Sequence, residues 1–335
     1  MNELAKKRAP GANQLRLLIL LGGMLLMLAA QCIVSPGILK NGATIYNYFV
    51  KIVLTVESTA LITAGLTFVI ICGKNDLSTG TMMQFAASVA CVVSAAVYGK
   101  MSDAAGSLLT ILIPIAVCAV IGAFNGLLVG VCGLNAFVAT LGTAYIVQAI
   151  HVLFDGGLTV YLKDLKAVKF IGKGLIAGKI SFPVLLLAAV FLLLGFVLHK
   201  TTFGRKIYAV GTNPKAAVFS GISAKGVIVA AYVLAGVASG LAGVFIAAYT
   251  TSGDMLMGVG KEFDAIIAVV LGGALLTGGV GSMTGTVLGS LFLGVLQLFY
   301  VQFNIDINVQ YIIRGAVLIG VIIMNSVLDR KGAKK

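Results

Sequence analysis

Charge is scarce in this sequence. Asp, Glu, Lys and Arg make up 10% of its 335 residues, against 59% hydrophobic ones, whereas a soluble globule carries roughly a quarter charged residues. That balance excludes a soluble domain and leaves a polytopic membrane protein. The five cysteines, Cys32, Cys72, Cys91, Cys118 and Cys132, lie in or at the ends of apolar runs, so they form no disulfide framework. Neither histidine, His151 or His199, has a Cys, His or carboxylate at metal-ligand spacing, and no metal is expected. No Gly-Lys pair is followed by Ser or Thr. The chain therefore lacks a phosphate-binding loop and does not itself hydrolyse ATP; no cofactor of its own is expected. No nucleophile motif or His/Cys/Asp cluster points to a membrane enzyme. The net charge of +13 would suit nucleic acid in a soluble chain, but here most basic residues flank apolar runs. They report topology and contact with anionic lipid, with no nucleic-acid partner.

What is present is a series of apolar runs. The first, Leu17–Val34, follows Lys6, Lys7, Arg8 and Arg16. Ala29-Ala30-Gln31-Cys32 is a poor cleavage site, so the run reads as an uncleaved span with its N-terminus inside. Runs long enough for a bilayer follow near 52–72, 80–98, 107–131, 136–154, 181–198, 227–249, 264–280, 283–303 and 309–328. The reading is an all-α polytopic protein of about ten transmembrane helices, a single permease-like domain over 1–335 with both termini inside. Arg330, Lys331, Lys334 and Lys335 agree with that orientation. Spans 2–5 and 7–10 are expected to form two related halves, a layout transporters use. A short echo supports it: Gly73…Leu77-Ser78-Thr79-Gly80 against Gly272…Leu276-Thr277-Gly278-Gly279, at an offset of 199. Glycines at four-residue spacing, Gly126/Gly130, Gly236/Gly240 and Gly281/Gly285/Gly289, predict close helix packing.

Two polar loops stand out. Residues 199–226 carry Lys200, Arg205, Lys206, Lys215 and Lys225 and no acid, which places them inside. Within that loop Asn213 can cap a short helix, Pro214 suits its first position, and Gly221 suits a left-handed end. Ala217, Val218 and Phe219 are expected to be exposed on it, as a docking element or as a helix lying on the membrane. On the other side, residues 155–180 interleave Val160, Leu162, Leu165, Val168, Phe170 and Ile171 with Lys163, Lys166, Lys169 and Lys173, which predicts an amphipathic helix. It would receive a partner or rest on headgroups.

Two interruptions mark a candidate pathway. Cys72–Gly80 and Gly272–Ser282 break apolar intervals with glycine and polar residues, and irregular backbone at membrane depth is tolerated where it lines a cavity. The candidate lining residues are Asn75, Asp76, Ser78, Gly272, Gly273 and Thr277, with Asn125, Phe137, Thr140 and Gln148 from spans four and five. Asp76 could equally cap the third span, and Asp264 the eighth. Glu57 and Arg314 fall within spans close to their ends, where snorkelling explains them.

The run Phe203–Gly211, then Asn213-Pro214, Ala216-Ala217 and Ser220-Gly221-Ile222, resembles the cytoplasmic loop of ribose/galactoside-type permease subunits of bacterial ABC importers. Gly65–Ile70 with Asp76-Leu77-Ser78, and the interval from Glu262 through Ser282, extend the resemblance from about residue 50 to the end, with most likeness to the galactofuranose or hexose branch. Thr212, Lys215, Lys74, Asn75 and Asn135 depart from the family's usual pattern. The resemblance implies a type II ABC importer-like fold in the bacterial inner membrane and import of a monosaccharide by alternating access. ATP would be bound by a separate ATPase subunit, with a periplasmic or extracellular sugar-binding protein and a second permease copy or homologue as further partners. It implies contact with the ATPase through Gly204, Arg205, Asn213, Pro214, Ala216, Ala217 and Gly221. An ion-coupled transporter using Glu57, Asp76 or Asp264, and permeases for branched-chain amino acids or nucleosides, are the alternative readings.

Overall fold

The computed structural model describes residues 12–332; the flanking Lys6, Lys7, Arg8, Lys334 and Lys335 lie outside them. The long helices are α1 (Ala12–Val34), α2 (Gly42–Ile71), α3 (Thr79–Val97), α4 (Asp103–Gly126) and α5 (Ala136–Asp155). A short α6 (Lys166–Lys173) precedes α7 (Phe182–Lys200), α8 (Thr202–Thr212), α9 (Pro214–Phe219) and α10 (Ala224–Thr250). Then come α11 (Lys261–Leu271), α12 (Met283–Gln302) and α13 (Ile307–Gly332). Seven of these helices, α2, α3, α4 with the π turn Leu127–Val131, α5, α7, α10 and α12, are long and apolar enough to cross a bilayer; α1 and α13 contribute the shorter apolar stretches Ile19–Val34 and Ile307–Gly320.

Local chemistry sets the ends. At the start of α2, Asn41 Oδ1 accepts the Thr44 N–H at 2.9 Å and Thr44 Oγ1 accepts the Asn41 N–H at 3.1 Å, a reciprocal capping box. In α2, 89% of the apolar window is buried, against 28% in α4, α5 and α7. The α2 helix is therefore the axis of the bundle and the other three form its perimeter.

Small residues bring the backbones together. Gly122 and Gly126 of α4 and Gly130 of the π turn after it lie against Tyr232, Val229 and Ile228 of α10, and Gly236 and Gly240 of α10 lie back against Cys118 and Ile115 of α4. A Cβ at Gly126 would stand 2.7 Å from the Val229 backbone, so the crossing needs glycine there. Gly285 and Gly289 of α12 do the same against Gly272 and Ala268. The packing divides into two units. α10 packs on α3 and α4 as α2 packs on α11 and α12; α3 meets α4 and α5 as α11 meets α12 and α13. The echo at offset 199 has a different origin. Cys72 and Gly272 end α2 and α11 in the same conformation, with Gly73 and Gly273 following at φ 73° and 96°. It records two similar helix stops at non-equivalent places in the two units.

The eighth span differs from its expected 264–280. Strand β4 (Ser252–Gly253) pairs with β1 (Val160–Tyr161), and Gly253 lies against Ser88 of α3. Gly258 lies against Gly80, eight residues lower on α3, so the loop descends about 12 Å before α11 begins. The eleven residues of α11 add about 16 Å. This crossing is half loop and half helix over residues 251–271, and 272–282 lie beyond it. The amphipathic helix expected from Val160 is also shorter: Lys166–Lys173 alone is helical, because Val160 and Tyr161 are drawn into the β1–β4 pair. His151 does have a carboxylate one turn on, contrary to the sequence reading. Its Nε2 stands 2.8 Å from Asp155 Oδ2 and 2.7 Å from Ser88 Oγ, which ties α5 to α3.

Candidate functional site

The loop after α7 is more ordered than its one expected helix. Thr201 Oγ1 accepts the Gly204 N–H at 3.3 Å and opens α8, whose Ile207 and Val210 are buried. This helix was legible in the spacing of Phe203, Ile207 and Val210, which fall on one face. Phe203 stacks on Phe68 of α2 with ring centroids 6.1 Å apart, and Gly204 lies too close to the Leu198 carbonyl to admit a side chain.

The far end of α8 meets both chain breaks. Gly211 lies against the Ile71 carbonyl and the Gly279 N–H, which are hydrogen-bonded to each other at 2.8 Å. Tyr208 donates its hydroxyl to the Gly281 carbonyl at 2.8 Å, and His199 Nε2 accepts the Met283 N–H at 3.2 Å. A Cβ on Gly73 would lie 2.9 Å from the Thr277 carbonyl oxygen, so the two breaks touch each other. Backbone packed on backbone in this way transmits displacement with little slack.

Beyond α8, Asn213 Oδ1 accepts the Ala216 N–H at 3.1 Å, Pro214 occupies the first turn of α9, and Gly221 closes it at φ 79°. Arg205 and Ala216 are exposed. Ala217 is not: it is 4% exposed, because α9 sits on α8 and α10 through that side chain. Val218 and Phe219, at 56% and 91%, form the outward face.

The first break gathers a different set of groups. Asp76 does not cap α3; its Oδ1 accepts the Ser78 N–H at 2.9 Å and the Ser78 hydroxyl at 2.6 Å. Ser78 Oγ in turn accepts from Asn125 Nδ2 at 2.8 Å. Thr140 Oγ1 accepts the Leu77 N–H at 3.1 Å, and Tyr232 donates to the Asn75 carbonyl at 2.7 Å. Asn75 Oδ1, Asp76 Oδ2 and Asn125 Oδ1 are left buried without a hydrogen-bond donor. Three buried acceptors without a protein donor are costly, and they suit donors that arrive transiently. Phe137, 52% exposed, and Gln148, exposed, stand apart from it on α5. Gly272, Gly273 and Thr277 belong to the second break: Gly272 packs on Gly285, and the Thr277 side chain is exposed.

Two ionisable residues depart from the snorkelling expectation. Glu57 is fully buried in α2, and neither carboxylate oxygen has a hydrogen-bond partner. Arg314 Nη1 stands 3.6 Å from Asp264 Oδ2, and Asp264 is 2% exposed in the first turn of α11. Asp264 makes no capping bond; Gly260 occupies the cap position.

A helical bundle with backbone-broken crossings, a capped helical loop at one end and a polar break leading into the bundle defines the class of membrane permeases. The chain belongs to the family described as branched-chain amino acid transport system / permease component, which matches residues 48–322. It is 33% identical over 310 residues to the ribose import permease protein of Bacillus subtilis strain 168, covering 92% of this chain and 91% of that one. It is 31% identical over 306 residues to the ribose import permease protein of Escherichia coli K12, covering 90% and 91%. Identity to the L-arabinose ABC transporter permease protein of Azospirillum brasilense is 31% over 268 residues, covering 80% and 76%. No solved structure matches the chain. The chain is thus a multi-pass transport subunit and not an enzyme.

Proposed function

We propose that this chain is the membrane-spanning subunit of an ABC importer for a monosaccharide, with pentoses of the ribose and arabinose type the first candidates. The named relatives support the sugar class. Residues 199–226 face the cytoplasm and dock a separate ATPase, residues 155–180 face a sugar-binding protein outside, and a second permease copy or homologue completes the pore. The single observation that carries the mechanism is the seat of Gly211 against Ile71 and Gly279. A push on α9 by the ATPase moves α8, and α8 bears on the ends of both broken segments together. The first break then presents Asn75, Asp76 and Asn125, whose unfilled acceptors suit sugar hydroxyls, with Ser78 holding Asp76 and Asn125 in place. Phe219 and Val218 supply the docking face, while Gly204, Asn213, Pro214 and Gly221 fix its shape and Arg205 and Ala216 border it.

The test is purification of the tagged chain from its native membrane in mild detergent. A stoichiometric ATPase is expected, retained in the wild type and lost in Phe219→Asp. A homo-oligomer free of any nucleotide-binding partner would overturn the reading in favour of an ion-coupled transporter, with Glu57 and Asp76 the next residues to examine.

A further inference from the structure

The head of α11 faces α13 across a cavity of about 390 Å³, lined by Glu262, Phe263 and Asp264 on one side and Tyr311 and Arg314 on the other. That volume falls within the range of about 300–1,000 Å³ typical of small-molecule sites. Its polar groups are incompletely matched. Asp264 Oδ2 has no hydrogen bond, and Arg314 Nη1 at 3.6 Å stands beyond hydrogen-bond reach. The buried Tyr300 hydroxyl on the neighbouring α12 is likewise without a partner.

Asp264 and Arg314 present opposite formal charges to the cavity, and Glu262 of the lining is balanced by its chain neighbour Lys261, which lies outside the lining. A cation would meet Arg314 and an anion Asp264, whereas a neutral molecule with adjacent hydroxyls can donate to the carboxylate and accept from the guanidinium. Two aromatic rings, Phe263 at 46% and Tyr311 at 53% exposed, border the cavity. The Arg314 guanidinium lies 5.7 Å from the Tyr311 ring centre, which restrains its direction. A mostly apolar wall of Val259, Ile267, Leu318 and the two aromatic rings, with one carboxylate and one fixed guanidinium set in it, suits a molecule with an apolar C–H face and a polar rim.

We infer that the cavity between α11 and α13 is a contact station for a neutral polyhydroxylated solute on its way through the protein, with Asp264 and Arg314 engaging vicinal hydroxyls and Tyr311 the ring face. The inference rests on the monosaccharide-importer reading. It locates a site at the head of α11, on side chains other than the Asp76, Ser78 and Asn125 of the first break.

The experiment uses the full complex, chain plus ATPase plus binding protein, in proteoliposomes. Uptake of labelled ribose and of labelled arabinose is measured beside ATP hydrolysis stimulated by the loaded binding protein. Asp264→Asn, which removes one charge-assisted contact, and Tyr311→Ala, which removes the aromatic face, are each expected to lower uptake by about tenfold with hydrolysis retained. The exchange Asp264→Arg with Arg314→Asp is expected to leave uptake low. Full uptake in both single variants, or recovery in the exchange, overturns the site and leaves a structural ion pair. A wild-type complex that moves neither pentose overturns the sugar reading itself, and the inference with it.

Discussion

The two chain breaks begin alike and end differently. Both open with a helix stop in the same conformation, closed by a glycine at positive φ, Gly73 or Gly273. After Gly73 the chain turns inward and is filled with side chains: Asp76 and Ser78 are fully buried, Asp76 accepts from Ser78, Ser78 accepts from Asn125 of α4, and the Leu77 N–H is bonded to Thr140 of α5. After Gly273 it turns outward, and glycines 278, 279 and 281 hold it against α8 through the backbone. The same local stop thus opens a polar interior at one site and a backbone-to-backbone contact with α8 at the other. The residues just past the stop decide the role: polar side chains need partners and draw in neighbouring helices, whereas glycines admit a neighbouring backbone.

The comparison breaks most severely at that contact. Gly211→Val places a branched side chain against the Ile71 carbonyl, where overpacking on rigid backbone costs about 3 kcal/mol or more. Sugar uptake should be lost with ATPase binding retained, read as uptake per ATP hydrolysed in proteoliposomes; normal coupling would show that α8 does not bear on the breaks. At the polar break, Asp76→Ala leaves the Ser78 N–H and hydroxyl without their acceptor and should destabilise by about 2 kcal/mol or more in reversible detergent unfolding. Asp76→Asn keeps the Oδ1 position as an acceptor and should recover most of that loss. At the docking face, Phe219→Asp alters a side chain that is 91% exposed. Its unfolding should be unchanged while ATPase affinity weakens by about 2 kcal/mol, as for an interface anchor.

The loop after α7 was only partly legible in the sequence. Asn213, Pro214 and Gly221 spell out a capped helix because each acts through its own neighbours. The burial of Ala217 does not follow from that pattern, since it depends on where α9 lands on α8 and α10. The eighth crossing was misplaced for a related reason. Residues 264–280 are apolar enough to read as a span, but the chain has already covered part of the distance as the loop beside α3, and a run of turns carries no helical period. Asp264 and Arg314, fifty residues apart, meet only through the packing of α11 on α13. The four-residue glycine spacing was a sound guide except at Gly281, which lies in the loop before α12, because close approach of helices depends on one face of each.

The smallest effect sharpens the comparison furthest. Thr277 was expected to line the path through its side chain, yet that side chain is exposed, and it is the Thr277 carbonyl that lies against Gly73. Thr277→Ala should therefore change stability by no more than about 0.5 kcal/mol and leave uptake intact, as substitutions at exposed positions usually do. Gly73→Ala adds only one methyl, but it does so at φ 73° and 2.9 Å from that carbonyl oxygen, so it should impair both folding yield and uptake. The larger chemical change is silent and the smaller one is harmful if the second break works through its backbone. A loss of uptake in Thr277→Ala with normal unfolding would reverse that assignment and give the Thr277 hydroxyl a direct part in passing the solute.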